Sequence, residues 1–395
     1  MRIKTKFIVY FLLGVLIIII NYFLFFNNLE KSNDIFSIQS NIKKIEYHDK
    51  GLNLNNLQLV YQIEEELFFP LCITTDHYGR QYILDKVSQK IKVFSNQGEY
   101  LTCFGSKGSG PGESLNISSI NVDKNTIYLL DQQTQRIKKY STKGELIWDK
   151  KIESDNSLYF NHIKAKSESI YISGVISYHH YNFENQSIGL CRKYDQDLNF
   201  IDQYFDLNKN FLKNLNTKSK DGIKNIINKT INMLAIDKFD NIYLAKLLGK
   251  NLIYKFDQKK NKYVFKFVHN PKQEDSVIME KKRGFGLKSN VNLSSFTCFD
   301  DLIFLLEGPF KRKDIKYAQK ITIFDSSGKY LDSFWDKKLH FDKYGYRMSI
   351  HKNHNNYEIF LISPERGKLY KYILNEVYFV ENKLNNILFN TKSYL

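Results

Sequence analysis

Six copies of a four-strand unit, together with one apolar run near the N-terminus, predict an all-β chain: a six-bladed β-propeller with an N-terminal transmembrane helix. Two observations carry the ring. An apolar-aromatic strand recurs at Tyr82, Tyr128 and Tyr171 in steps of about 45 residues, a blade-like period. Each copy is also too short to bury a core alone, so it needs neighbours of its own kind. A third observation carries the anchor: Arg2, Lys4 and Lys6 precede a run from Phe7 to Phe26 that only Asn21 interrupts.

The N-terminal run is long enough to cross a hydrocarbon layer of about 30 Å as a helix. Tyr10, Tyr22, Phe23, Phe25 and Phe26 suit the interfaces. No small-x-small exit follows the run, and no Cys stands ready to accept a lipid, so an uncleaved anchor is expected. The basic start, residues 1–6, then stays cytoplasmic, and the body lies outside the cytoplasm, periplasmic or on the cell surface. Residues 27–56 read as a polar, Asn- and Lys-rich stalk, 57–380 as the propeller and 381–395 as a tail.

The clearest blade lies between Gln81 and Glu113. Tyr82-Ile83-Leu84, Lys90 to Phe94 and Tyr100 to Phe104 are strands, with a glycine turn at Ser95-Asn96-Gln97-Gly98. Its second strand is echoed by Ile127 to Leu130, Ile170 to Ile172, Ile242 to Leu244, Ile303 to Leu305 and Ile359 to Leu361. The third strand places an aliphatic residue or Cys three positions before an aromatic: Ile91 with Phe94, Ile137 with Tyr140, Cys191 with Tyr194, Ile253 with Phe256, Ile321 with Phe324, Leu369 with Tyr372. Fourth strands follow glycine turns, as at Leu146 to Trp148 and Tyr330 to Phe334. First strands centre on Ile73, Ile120, Ile163, Leu234, Phe296 and Met348. The ring closes either with Leu57 to Ile63 joining the last blade or with Val377 to Val380 as that blade's own fourth strand.

The run Asp85-x4-Lys90-Ile91-x-Val93-Phe94 and its echo Asp131-x4-Arg136-Ile137 resemble NHL-type repeats. The segment from Phe104 through Gly105-Ser106-Lys107-Gly108-Ser109-Gly110-Pro111-Gly112-Glu113 resembles the glycine-rich connector of six-bladed β-propeller proteins common in Bacteroidetes. The resemblance covers roughly residues 57–380 and implies an exported or membrane-anchored protein. It implies no particular activity. The third blade departs from the pattern, with Gly174 where the Asp is expected.

Composition narrows the partners. The 395 residues carry a formal charge of +16, yet the lysines are scattered and no nucleic-acid motif accompanies them, so nucleic acid is not expected as a partner. Cys72, Cys103, Cys191 and Cys298 form no C-x-x-C pair, and no metal or other cofactor is indicated.

The inserts are one-sided. In a blade a-b-c-d the a–b and c–d turns share one face, and the b–c turns and d–a crossovers the other. All long inserts, Gly105 to Asn116, Gly174 to Gly189, Asp206 to Thr230, Asn270 to Asn290 and Glu307 to Lys320, fall on the second face. That face is the expected binding surface for a protein, peptide or glycan. Its candidate contacts are Lys107, His179, His180, Lys281, Arg283, Lys311, Arg312 and Lys313, a basic set suited to an anionic ligand. Asp85, Asp131 and Glu307 end second strands there; they are candidates for the channel mouth or for capping turn N–H groups. No nucleophile elbow, H-E-x-x-H or paired-carboxylate signature occurs. The first strands Cys72-Ile73-Thr74, Ser118-Ser119-Ile120, Met233-Leu234-Ala235 and Ser295-Phe296-Thr297 are apolar or hydroxyl-bearing. A binding or scaffold module is therefore expected, with a lactonase-like hydrolase or lyase holding a metal in the central channel as the alternative.

Overall fold

A computed structural model of the chain describes residues 43–47, 57–63, 67–153, 157–177, 187–213, 219, 222, 226, 230, 232–246, 252–269, 278–281, 284–287, 293–311, 316–335 and 345–375. The run Phe7 to Phe26, the tail and Val377 to Val380 lie outside these residues, and among those described no helix is long and apolar enough to cross a membrane.

The chain is a ring of six antiparallel blades. Two strands come first, β1 (Lys43–Tyr47) and β2 (Leu57–Ile63). Blade 1 holds β3 (Pro70–Thr75), β4 (Gln81–Asp85), β5 (Lys90–Phe94) and β6 (Tyr100–Phe104); the short β7 (Ser106–Lys107) and β8 (Glu113–Ser114) lead onward. Blade 2 holds β9 (Ile117–Asp123), β10 (Thr126–Asp131), β11 (Arg136–Ser141) and β12 (Leu146–Lys151). Blade 3 holds β13 (Leu158–Lys166), β14 (Ser169–Ile176), β15 (Gly189–Tyr194) and β16 (Phe200–Asp206), followed by the helix α1 (Lys209–Lys213). Blade 4 holds β17 (Asn232–Ile236), β18 (Ile242–Lys246), β19 (Leu252–Asp257) and β20 (Lys262–His269). A hairpin of β21 (Ile278–Lys281) and β22 (Gly284–Leu287) precedes blade 5, which holds β23 (Leu293–Phe299), β24 (Leu302–Lys311), β25 (Lys316–Asp325) and β26 (Tyr330–Trp335). Blade 6 holds β27 (Arg347–Asn353), β28 (Asn356–Ser363) and β29 (Lys368–Asn375).

The first strands β3, β9, β13, β17, β23 and β27 each touch the next in a closed circle around the axis. Second strands are buried on both faces, as in Gln81–Asp85, because blades flank them on either side. That is why they read as unbroken apolar-aromatic runs. Fourth strands are exposed at the rim, as at Tyr100 and Leu101. The third-strand aromatics meet the first aromatic of the fourth strand edge-on: Phe94 with Tyr100, Tyr194 with Phe200, Phe256 with Tyr263 and Phe324 with Tyr330, at interplanar angles of 73°, 77°, 74° and 73°. Such pairs contribute about 0.5–1.5 kcal/mol each beyond burial.

Polar caps make the short turns. In the a–b turn of blade 1 the Asp76 carboxylate accepts from the N–H groups of Tyr78 and Arg80, both at 3.0 Å, and from the Tyr82 hydroxyl at 3.1 Å. Asp237 repeats this in blade 4 with Phe239, Asn241 and Tyr243, each at 2.9 Å. Blades are stitched together by glutamines of the b–c turns. Gln89 Oε1 accepts from Ile117 N at 2.7 Å, and Gln135 Oε1 from Phe160 N at 3.0 Å.

Of the two closures left open by the sequence, β2 is present: it pairs antiparallel with β29, Leu57 opposite Leu374 and Ile63 opposite Leu369. The last blade therefore combines both ends of the ring. Residues 43–47, read from the sequence as stalk, instead form β1, which pairs in parallel with β20 as a fifth strand on the rim of blade 4.

Candidate functional site

The glycine-rich connector after blade 1 is filled by its own carboxylate. Glu113 Oε2 accepts from Gly110 N at 2.9 Å, and a Cβ at Gly108 would lie 2.0 Å from the same oxygen. Tyr140 Oη donates to Gly112 O at 2.7 Å, pinning the loop on blade 2. The loop is a tight crossover and presents no empty nest to a phosphate.

The inserts gather on the b–c and d–a face, as the parallel strand pair β7–β8, the hairpin β21–β22, the helix α1 and the outward extension of β24–β25 to Lys311 opposite Lys316. At the centre of this face the axis opens into a cavity of about 300 Å³. All six first strands line it, joined by Lys86 and Gln132 from the b–c turns of blades 1 and 2. Leu71, Met233, Phe296 and Met348 give it apolar walls; Lys86, Lys164 and Arg347 give it three cations, and among the described residues no carboxylate lines it. A wider depression of about 530 Å³ lies on the opposite face, between the a–b turns of blades 1 and 2, where Asp76, Asp123 and Lys124 mix both signs.

Bulges shape the cavity wall. Pairing between first and second strands skips one residue on the first strand at Leu71, Ser118, Asn161 and Ser294. Bulges of this kind turn side chains away from the regular alternation. In blade 3 the strand opposite the bulge carries Gly174, where an added Cβ would come within 2.6 Å of Tyr159 O. The departure from Asp thus gives β13 room to approach.

The electrostatics follow from enclosure. Burial, reinforced by Lys164 and Arg347, pushes the His162 pKa down to about 3, so the imidazole is neutral at pH 7. Burial also lowers the Lys164 pKa, an effect that Cys298 and Cys72 oppose. Lys86 is lowered chiefly by burial, with Lys107 adding repulsion and Asp131 opposing it. Its ammonium bonds Asn116 Oδ1 and, at 3.2 Å, Ile117 O. Arg347 Nη1 donates to the carbonyls of Ser294 at 3.1 Å and Gly345 at 3.0 Å, which fixes its guanidinium against the wall. The Cys72 thiol, bonded to Ser118 O at 3.1 Å, is pushed up to about 11 by burial.

The residues singled out from the sequence are distributed as follows. Lys107 is exposed on β7, close enough to act on Lys86 at the cavity mouth. Lys281 ends β21 and Lys311 ends β24, both on the insert-bearing face. His179, His180, Arg283, Arg312 and Lys313 lie outside the described residues. Asp85 and Asp131 end second strands, whereas Glu307 falls within β24 because that strand runs on to Lys311; all three are buried behind the bulges and do not line the cavity. Asp85 accepts from Val87 N at 3.1 Å and faces Lys92 at 3.5 Å. Asp131 caps Leu115 N at 2.9 Å and Gln133 N at 3.1 Å. Glu307 pairs with Lys320 at 3.4 Å. Among the described residues no group of three His, Cys, Asp or Glu side chains could hold a metal ion. The residues that sequence reasoning missed are Asn161, His162, Lys164 and Arg347, on the two first strands whose flanks carry charge. The alternation around Ile163 was a usable signal for His162 and Lys164.

One protein family, described as a 6-bladed beta-propeller (DUF5128), matches residues 70–293. Among solved structures, a Bacteroides fragilis protein described as exported is similar over 85% of this chain and 99% of its own, with 14% identity and a TM-score of 0.52. A member of the DUF4221 family from Bacteroides vulgatus is 9% identical over 82% of this chain and 100% of its own, with a TM-score of 0.49. Virginiamycin B lyase from Staphylococcus aureus is 9% identical over 80% of this chain and 99% of its own, with a TM-score of 0.45. No curated protein matches the sequence. At such identities the likeness is one of fold.

Proposed function

The chain belongs to the DUF5128 family of six-bladed β-propellers, and from that premise we propose that it is an extracytoplasmic binding module whose b–c and d–a face receives an anionic ligand or an acidic protein or glycan partner. One observation carries this reading: the described inserts and the cation-lined axial cavity open on the same face. Function tends to sit on loops above a rigid scaffold, and a cluster of like charge draws in the opposite one. Exposure outside the cytoplasm is supported by the basic start before Phe7 to Phe26 and by the exported character ascribed to the Bacteroides fragilis protein. In this reading Phe7 to Phe26 is the tether.

The test compares two faces. Changing Lys107, Lys281, Arg283, Lys311, Arg312 and Lys313 to Ser should reduce retention on immobilised polygalacturonate or polyglutamate and flatten its dependence on salt, since exposed charges are screened over about 8 Å at physiological ionic strength. Changing Lys124, Lys143 and Lys238 on the short-turn face should leave retention intact. Equal loss with both sets would defeat the one-face reading.

A further inference from the structure

We propose that Lys164 is a nucleophilic amine that captures a small aldehyde or ketone in the axial cavity as a reversible imine, with Asn161 accepting from the hydroxyl of the intermediate. The capture needs only the cavity and stands apart from the polyanion reading of the face.

Three observations converge on Lys164. The first is its place. Asn161, His162 and Lys164 of β13 line the cavity, whose volume of about 300 Å³ admits a small molecule. Leu71, Met233, Phe296 and Met348 share the wall, so the carbon skeleton of a carbonyl compound would be covered. The second is its company. Lys92, Lys138, Lys255, Lys320 and Lys371 are buried elsewhere in the ring, and each faces a carboxylate at 2.8 to 4.0 Å that favours the ammonium form. Lys86, at the cavity mouth, is held as a donor to Asn116 Oδ1 and Ile117 O. Lys164 faces the thiols of Cys298 and Cys72 instead. Burial pushes the Cys72 thiol up to about 11 and the Cys298 thiol well above its usual range, so neither is a thiolate at pH 7 that would hold the proton on the amine. Burial also lowers the Lys164 pKa, so more of it stands as free amine than of an exposed lysine. Desolvation of this kind is what turns a lysine into a nucleophile toward carbonyl carbon. The third observation is an orphan acceptor. Among the described residues Asn161 Oδ1 is buried on the same wall with no hydrogen-bond partner. Buried acceptors are nearly always satisfied, and a hydroxyl formed on the captured carbon would satisfy this one.

The step balances within the two reactants. The Lys164 nitrogen lone pair forms a bond to the carbonyl carbon, and the π pair moves onto oxygen, which takes one amine proton. The carbinolamine so formed carries the hydroxyl that Asn161 receives. The C–O bond then breaks, oxygen leaves as water with the second amine proton, and a C=N bond remains. The groups around the amine that set its protonation are His162 on its own strand, Cys72 on β3, Cys298 on β23, Arg347 on β27 and Lys86 from the b–c turn of blade 1. Tyr171 lies opposite Lys164 across the strand pair, and burial raises its pKa, so its phenol stays neutral. Among the described residues, β9 and β17 bring no titratable side chain to the lining.

The experiment is reductive trapping on the full-length protein. Incubation with hydrocinnamaldehyde and cyanoborohydride at pH 7, the cyanoborohydride giving hydride to the C=N bond, is followed by peptide mass spectrometry to map the modified lysines. Lys164 should be modified about tenfold faster than the exposed Lys124 and Lys143. At about pH 10.5 that preference should shrink, because ordinary lysines lose their protons near 10.4. Lys164→Met should remove the fast modification and leave the slow one. Asn161→Ala should slow modification of Lys164 alone. An adduct spread evenly over the lysines at pH 7, or Lys164 modified more slowly than Lys124, would overturn the proposal on the unaltered protein, whatever the variants do. Fast modification that survives Lys164→Met would overturn it as well, and an unaltered rate in Asn161→Ala would remove Asn161 from the site. Polyanion retention draws on exposed side chains, so either test can fail while the other stands.

Discussion

His162 lies within reach of two cations and is held neutral, and this gives it a signature in solution. Its pKa falls from 6.5 to about 3 on folding, through burial and through Lys164 and Arg347. Between those values the unfolded chain binds the extra proton and the folded one does not. Stability should therefore be full above about pH 6.5 and decline as pH falls toward 3, at up to about 1.4 kcal/mol per pH unit for a single group. Denaturant titrations at stepped pH on the protein and on His162→Asn check this: the variant should lose less stability across the same window, and identical slopes would mean that the imidazole is not held neutral. Legibility ends at this scale. Gly174 stood out in the sequence as a missing Asp, but its reason, a bulge at Asn161 across the pair, is a register event with no local sequence mark. Arg347 was equally hidden. Which side of an inner strand meets the axis depends on bulge and twist, and charged residues elsewhere in this chain are scattered over its surface.

Among the elements, the second strands were the most legible, because burial on both faces imposes unbroken apolar runs. The aromatic of the third strand was legible for a related reason: it is clamped edge-on by the next strand. The closing strand was legible only as one of two options. Leu57 and Leu374 meet across nearly the whole chain, and nothing local distinguishes β2 from another alternating segment. Its contribution can be measured. Leu59 packs on the core of blades 5 and 6, Tyr61 and Ile63 pack on the core between blades 6 and 1, and Tyr61 Oη reaches Gln81 at 3.4 Å. Starting the chain after Ile63 should cost about 2–5 kcal/mol, the range for losing buried large side chains, and leave β29 as a bare edge prone to self-pairing. Urea titration and light scattering report both effects; a truncated ring of undiminished stability and solubility would mean that β2 is ornamental.

At the scale of the whole molecule the repeat settles the architecture early, since only a closed circle of six first strands lets every blade cover its neighbour. One-sided inserts were legible too, from loop lengths alone. The rim strand β1 was not, because Lys43–Tyr47 sits within polar sequence and too short a stretch to declare itself. Its geometry has a mechanical consequence. β1 runs parallel to β20, from the short-turn side toward the loop side, with Lys43 opposite Phe265 and Tyr47 opposite His269. Tension applied to the N-terminal segment enters at Lys43 and acts along the strand. It must shear every rung with β20 at once, whereas a strand lifted from its end gives way one rung at a time. In a force spectrometer, pulling on an N-terminal handle should give a first rupture at higher force than in a protein with Ile45→Pro, which breaks that ladder; equal forces would show that β1 carries none of the load. The β2–β29 seam lies downstream of β1 in the chain, so drag on the tether is resisted at the rim of blade 4 before it can reach the place where the ring could come undone.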